Sequence, residues 1–164
     1  QHPIAPLYDD KSTILILGSF PSVKSREIGF FYGHPQNRFW RVLSAVFEEA
    51  TPQTIPEKRA FLARNGVALW DVIQSCDIVG SSDSSIRNVI PNDLSPILSH
   101  GQIRQIYVNG KKAMSLYQRY IEPQIGCAAC CLPSTSPANA SWSLERLIDA
   151  WKIIKRKFKR QANP

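Results

Sequence analysis

The sequence predicts an α/β fold, a three-layer α/β/α sandwich around a central, mainly parallel four-stranded sheet. Two observations carry that prediction: four short apolar runs, each closed by a turn or loop, and helical patterns lying between them. A third sets the scale. With 164 residues, 43% of them apolar and 20% charged, the chain suits one globular domain, here residues 1–164, with a full core.

The first run, "STILILGS" (12–19), is continuous in β-branched and leucine residues and ends at glycine, as a buried parallel strand does. "GVALWDVI" (66–73), "IRQIYVNG" (103–110) and "GCAACCLPS" (126–134) share its character. After Asn37, the residues Phe39, Trp40, Val42, Leu43, Val46 and Phe47 repeat at three- and four-residue spacings, which predicts a helix. "PEKRAFLARN" (56–65) opens with proline at a first helical position, and "KKAMSLYQRYI" (111–121) follows the third strand. The last helix starts near Ser141 or Ser143 and presents Leu144, Leu147, Ile148, Trp151, Ile154 and Phe158 on one face. Residues 75–93 read as one long irregular loop, held in order by Ile78, Ile86, Val89 and Ile90.

Charge is unevenly distributed. From Trp151 onward stand Lys152, Lys155, Arg156, Lys157, Lys159 and Arg160 with no acidic residue, so of the net +7 the rest of the chain carries +1, fourteen basic against thirteen acidic residues. The tail reads either as a phosphate-binding patch or as a basic helix end complementing its own dipole. No apolar run approaches the roughly 20 residues of a membrane span. "QHPIAPLYDD" lacks the basic and apolar regions of a signal peptide, so a cytoplasmic location is expected. Cys127, Cys130 and Cys131 include a Cys-x-x-Cys spacing, but no histidine and no second cysteine pair accompany it. No metal is expected there. "CAACCLP" reads as a buried strand in which cysteine is a small hydrophobe.

The chain has no Gly-x-Gly-x-x-Gly, no phosphate-binding Gly-x-x-x-x-Gly-Lys-Ser/Thr and no Gly-x-Ser-x-Gly elbow, which argues against dinucleotide, nucleoside triphosphate and acyl-hydrolase chemistry. Two loops at strand ends remain. "LPSTSPANAS" puts Ser134, Thr135, Ser136 and Asn139 between prolines, giving either a rigid turn whose N–H groups hold a phosphate or an ordinary helix cap. "GSFPSVKSREIGFFYGHPQN" concentrates Phe20, Phe30, Phe31 and Tyr32, rings that either fill the core or line a flat slot for a planar ligand such as a base extruded from DNA.

These motifs carry a resemblance. "GSFPS" after the first strand, "YGHPQNRFW" entering the first helix and "LPSTSPANA" after the last strand resemble the uracil-DNA glycosylase superfamily, in the branch shared by mismatch-specific uracil-DNA glycosylase and thymine-DNA glycosylase. The similarity spans roughly residues 12–156, and "HPQNRFW", "GSSDSSI" and "PSTSPAN" look most like the deoxyinosine (hypoxanthine) DNA glycosylases. The resemblance implies a monofunctional glycosylase of base excision repair that hydrolyses the bond to a flipped deaminated base, hypoxanthine first and uracil second. It implies DNA as partner, a monomer associated with the nucleoid in a prokaryote, and neither cofactor nor metal.

It also implies roles. Tyr32 stands where relatives stack an aromatic on the base; Gly18, Ser19 and Phe20 floor the pocket. Phe20 departs from the pattern, because relatives of the "G-I-N-P-G" form carry there the asparagine that orients water. Asn37 is the substitute, its amide able to accept from water and to donate to a leaving base, although it also stands where a helix cap belongs. His34 is a second catalytic candidate, with a turn-holding role as the alternative. Pro21, Ser22, Ser134, Thr135, Ser136 and Asn139 are the expected DNA contacts. Asn109 reads the base edge or forms a turn, and Asp83, with Ser81, Ser84 and Ser85, is a lesser candidate near the pocket. Two rivals share the fold: a damaged-DNA-binding module without turnover, and a protein acting on a small planar metabolite.

Overall fold

The computed structural model describes residues 4–77, 87–100 and 102–155. In chain order, β1 (Ile14–Gly18) is followed by α1 (Val23–Ile28), α2 (Phe39–Val46) and α3 (Ile55–Asn65), then β2 (Val67–Asp71), β3 (Ile73–Asp77) and β4 (Arg87–Pro91). Next come α4 (Ser95–Ser99), β5 (Gln105–Asn109), α5 (Lys111–Tyr120), α6 (Glu122–Ile125), β6 (Ala129–Leu132) and α7 (Leu144–Trp151). The four expected strands form one sheet in the order β2-β1-β5-β6, and each neighbouring pair is parallel.

Alternation along the strands divides two cores. Ile14, Ile16, Val67, Leu69 and Tyr107 face α2, α3 and α7 through Phe39, Leu43, Phe61, Leu147 and Trp151. Leu15, Leu17, Ala68, Ile106 and Val108 face α4 and α5 through Ile97, Leu116 and Tyr117. This is the expected three-layer sandwich, and central β1, buried at all five positions, explains why its sequence is continuously apolar. No helix among the described residues is long and apolar enough to cross a membrane.

Four expectations are corrected. The segment read as one irregular loop contains the antiparallel pair β3–β4, whose register shifts twice and so erases the alternation that announces a strand. Its connection, with Ser81, Asp83, Ser84 and Ser85, lies outside the described residues. Phe30 and Phe31 are 2% exposed and belong to the core, and of the two Phe31 alone also borders the large cavity. The aromatic loop holds a helix, α1, capped by Ser22 Oγ and by Gly29 in the left-handed region; six residues are too few to show periodicity. Finally, β6 lies at the sheet margin, so Cys127 and Cys131 are exposed rather than buried, and only Cys130 packs against the core. The last helix runs over α7 and a further turn to Lys155, while Phe158 and most of the basic tail lie outside the described residues.

Candidate active site

A cavity of about 1270 Å³ opens at the carboxyl ends of β1, β2, β5 and β6, where ligands of open α/β sheets bind. It exceeds the roughly 300–1,000 Å³ of a small-ligand pocket, leaving room for part of a strand. Its floor is built by register. Gly18 pairs with Asp71, and Asn109 ends the strand on the other side of β1, so an acid, a bare glycine and an amide stand side by side. A Cβ on Gly18 would lie 2.5 Å from Asp71 Oδ1 and 3.2 Å from Tyr32 Oη, so the missing side chain is what lets these two groups meet there. Asp71, 4% exposed, was not among the expected residues. Its position closing an apolar strand, like that of Asn109, is the signal that marks it.

Tyr32 borders the cavity with φ +53°, in the left-handed region, and its ring stacks on Phe39 at 3.9 Å and 15°. Phe39 covers one face of a side chain that remains half-buried. Oη is buried without a hydrogen-bond partner among the described residues. Burial chiefly, and then the neighbouring Asp71 charge, push the phenol well above its ordinary range; the Asn109 amide pulls the other way without reaching good hydrogen-bond geometry.

The first loop is strapped to the β2–β3 corner, because the carbonyls of Gly18 and Ser19 accept from Val72 and Ile73 N–H at 2.7 and 3.0 Å. Phe20 lines the cavity with Arg26 stacked 5.2 Å over its ring. Pro21 is buried, and Ser22 caps α1, accepting from Ser25 N–H at 3.1 Å. His34 lines the cavity too, but its Nδ1 accepts from Gln36 N–H at 3.1 Å and its carbonyl from Asn37 N–H at 3.0 Å. The turn-holding role is therefore filled, and in the neutral ring the proton sits on Nε2.

The second loop is not a helix cap, since Ser143 caps α7. Ser134 Oγ accepts from Ser136 N–H, Ser136 Oγ from Ala138 N–H, and Asn139 Nδ2 donates to the Ser134 carbonyl. The turn thus stiffens itself. Arg38, unnoticed in the sequence, grips it from outside: its guanidinium donates to the carbonyls of Ser136, Asn139 and Trp142. Gly110, at φ +100°, lets the loop close in, for a Cβ there would lie 3.1 Å from Ser134 Cβ.

Thr135, expected at the DNA, is 0% exposed. Its N–H donates to Asn109 Oδ1 at 3.1 Å, and Asn109 Nδ2 donates to its Oγ1 at 3.0 Å. Its Oγ1 donates in turn to Asn37 Oδ1 at 2.8 Å, and its carbonyl accepts from Arg38 N–H at 3.1 Å. Asn109 therefore braces Thr135 at the cavity wall. Asn37, half-buried and also lining the cavity, accepts from Phe39 N–H at 3.0 Å as well, a cap-like bond at the start of α2. Asn37 and Tyr32 thus share one cavity, whose wall also carries Lys24, Arg26, Lys111 and Lys112, cations outside the basic tail that the charge count had singled out.

Comparison with known proteins gives one consistent family assignment. The sequence model of the uracil DNA glycosylase superfamily matches residues 5–162. A hypoxanthine DNA glycosylase of Methanosarcina acetivorans is 35% identical over 148 residues, 89% of this chain and 92% of its own. One of Methanosarcina barkeri is 34% identical over 110 residues, 66% of this chain and 70% of its own. The solution NMR structure of a Methanosarcina acetivorans protein described as a candidate uracil DNA glycosylase superposes with a TM-score of 0.82 at 32% identity, covering 96% of this chain and 98% of the other. By the reach of the family match and by this relatedness, the chain belongs to the uracil DNA glycosylase superfamily.

Proposed function

We propose that the protein is a monofunctional DNA glycosylase that excises deaminated bases, hypoxanthine ahead of uracil. The observation that carries the reading is the shared cavity of Asn37 and Tyr32 at the strand ends, with Phe20 in the place of the usual water-orienting asparagine. The two Methanosarcina relatives, both hypoxanthine DNA glycosylases, favour the purine.

A flipped base enters beside the Tyr32 ring, which Phe39 backs on its other side. Water attacks C1′ as the glycosidic bond lengthens through an oxocarbenium-like state. The bonding pair leaves with the base as an anion, a proton from the attacking water is released, and free base and abasic sugar result. Asn37 supplies the polar group at the reacting centre. Ser22, Ser134, Ser136 and Asn139, with Lys24, Lys111 and Lys112 near the mouth, face the phosphates.

Single-turnover cleavage of matched duplexes carrying one deoxyinosine or one deoxyuridine tests this. Alkali-labile sites should form faster with inosine, and Asn37→Ala should lower that rate at least ~100-fold, the scale of a lost hydrogen-bonding group at a transition state. A folded wild-type protein that leaves both duplexes intact would refute the enzyme reading.

A further inference from the structure

The buried threonine determines which end of the Asn37 amide can reach a substrate. An amide oxygen offers two lone pairs. At Asn37 both are engaged, one by Phe39 N–H at 3.0 Å and one by Thr135 Oγ1 at 2.8 Å. The assignment of oxygen and nitrogen follows from the bonds themselves, because a backbone N–H cannot donate to an amide nitrogen. Thr135 Oγ1 receives its own hydrogen bond from Asn109 Nδ2, so its single proton is directed at Asn37. The resulting chain runs one way: Asn109 Nδ2–H to Thr135 Oγ1–H to Asn37 Oδ1. What remains without a protein partner among the described residues is Asn37 Nδ2 with two hydrogens, on a side chain lining the cavity.

We propose that Thr135 is a positioning residue that holds Asn37 with its nitrogen toward the reacting base, so that Asn37 acts as a hydrogen-bond donor to the departing base and not as an acceptor that orients water. The proposal rests on the glycosylase reading and deepens it. Charge develops on the base as the glycosidic bond breaks, and a donor fixed in advance at that point lowers the barrier without reorganising. Two hydrogen bonds into the amide oxygen also polarise the group, making its N–H hydrogens better donors. Thr135 is itself held by Asn109 on one side and by Arg38 N–H on its carbonyl, so the amide has no low-cost route to turn over.

The polarity is tested by Asn37→Asp, which keeps the shape and the two accepted bonds but has no donor. Under the proposal its single-turnover rate on inosine duplex falls as far as that of Asn37→Ala, about 100-fold or more. A rate more than tenfold above that of Asn37→Ala would overturn it, since an acceptor that orients water is strengthened by a carboxylate. The positioning is tested by Thr135→Val and Thr135→Ser. The valine variant should lose about tenfold or more in rate while keeping wild-type affinity for a duplex bearing a tetrahydrofuran abasic analogue, and serine should restore the rate. Combined with Asn37→Ala, the valine should add no further loss. A valine variant as fast as wild type, a serine that fails to restore, or an additive double mutant would each count against it. A wild-type protein inert on inosine is a different failure, that of the glycosylase reading, and shows before any variant is compared.

Discussion

Tyr32 departs from every local preference at once. A non-glycine residue at φ +53° carries a backbone penalty on the order of 1–3 kcal/mol, and its hydroxyl is buried with no partner among the described residues, at a cost of about 1–3 kcal/mol more. Residues held so are over-represented where a ring must stand at a fixed angle, and here the return is the parallel contact with Phe39 beneath the cavity. Tyr32→Phe should therefore melt at or above the wild-type temperature, since it deletes the unpaired oxygen and keeps the ring. A melting point several degrees lower would mean that Oη has a partner after all. Tyr32→Ala removes the platform, and its binding to inosine duplex should weaken by about 1–3 kcal/mol, the usual worth of a base stacked on an aromatic ring. The raised phenol pKa has a sign as well: the folded state keeps the hydroxyl protonated where the unfolded chain begins to ionise it, so stability declines as pH climbs past the ordinary tyrosine value.

Among elements, legibility followed burial. The four parallel strands and helices α2, α3 and α5 were readable because each carries its pattern alone: continuous apolar runs in β1 and β2, three- and four-residue spacing in Phe39 to Val46, proline near the start of α3. The short helices α1, α4 and α6 were not, since four to six residues complete barely one turn. The β3–β4 pair stayed hidden behind its broken register and the proline at its end. The site divided the same way. Strand-end and loop positions such as Gly18, Asn37 and Asn109 were legible from motif and turn chemistry, whereas Thr135 could be named but not given its partners. Arg38 and Asp71 were missed because their importance is purely a matter of contact, with carbonyls about a hundred residues away in one case and a facing glycine in the other.

For the whole molecule, the distribution of cations matters more than the total. Lys24, Lys111 and Lys112 line a cavity in which Asp71 is the sole acidic lining residue among the described residues, so the described core has an electrostatic face independent of the tail. Each phosphate neutralised releases counterions, with a slope near −0.9 per contact in a plot of log affinity against log salt. Replacing the three lysines with alanine should flatten that slope by roughly 2–3, as measured by fluorescence anisotropy from low to physiological salt. An unchanged slope would transfer the phosphate contacts elsewhere on the chain. The margin strand β6 offers a handle of another sort. Cys131 is exposed and lines the cavity, whereas Cys127 is exposed and lies outside that lining. Partial desolvation of the thiol by its surroundings, and then Cys130 beside it, raise the Cys131 pKa although the residue as a whole is exposed, so its alkylation accelerates with alkalinity beyond the range where an ordinary thiol has already ionised. Mass spectrometry of the alkylated protein should find Cys131 shielded by inosine duplex and Cys127 unaffected, which makes the native chain its own footprinting reagent, with an internal reference four residues away.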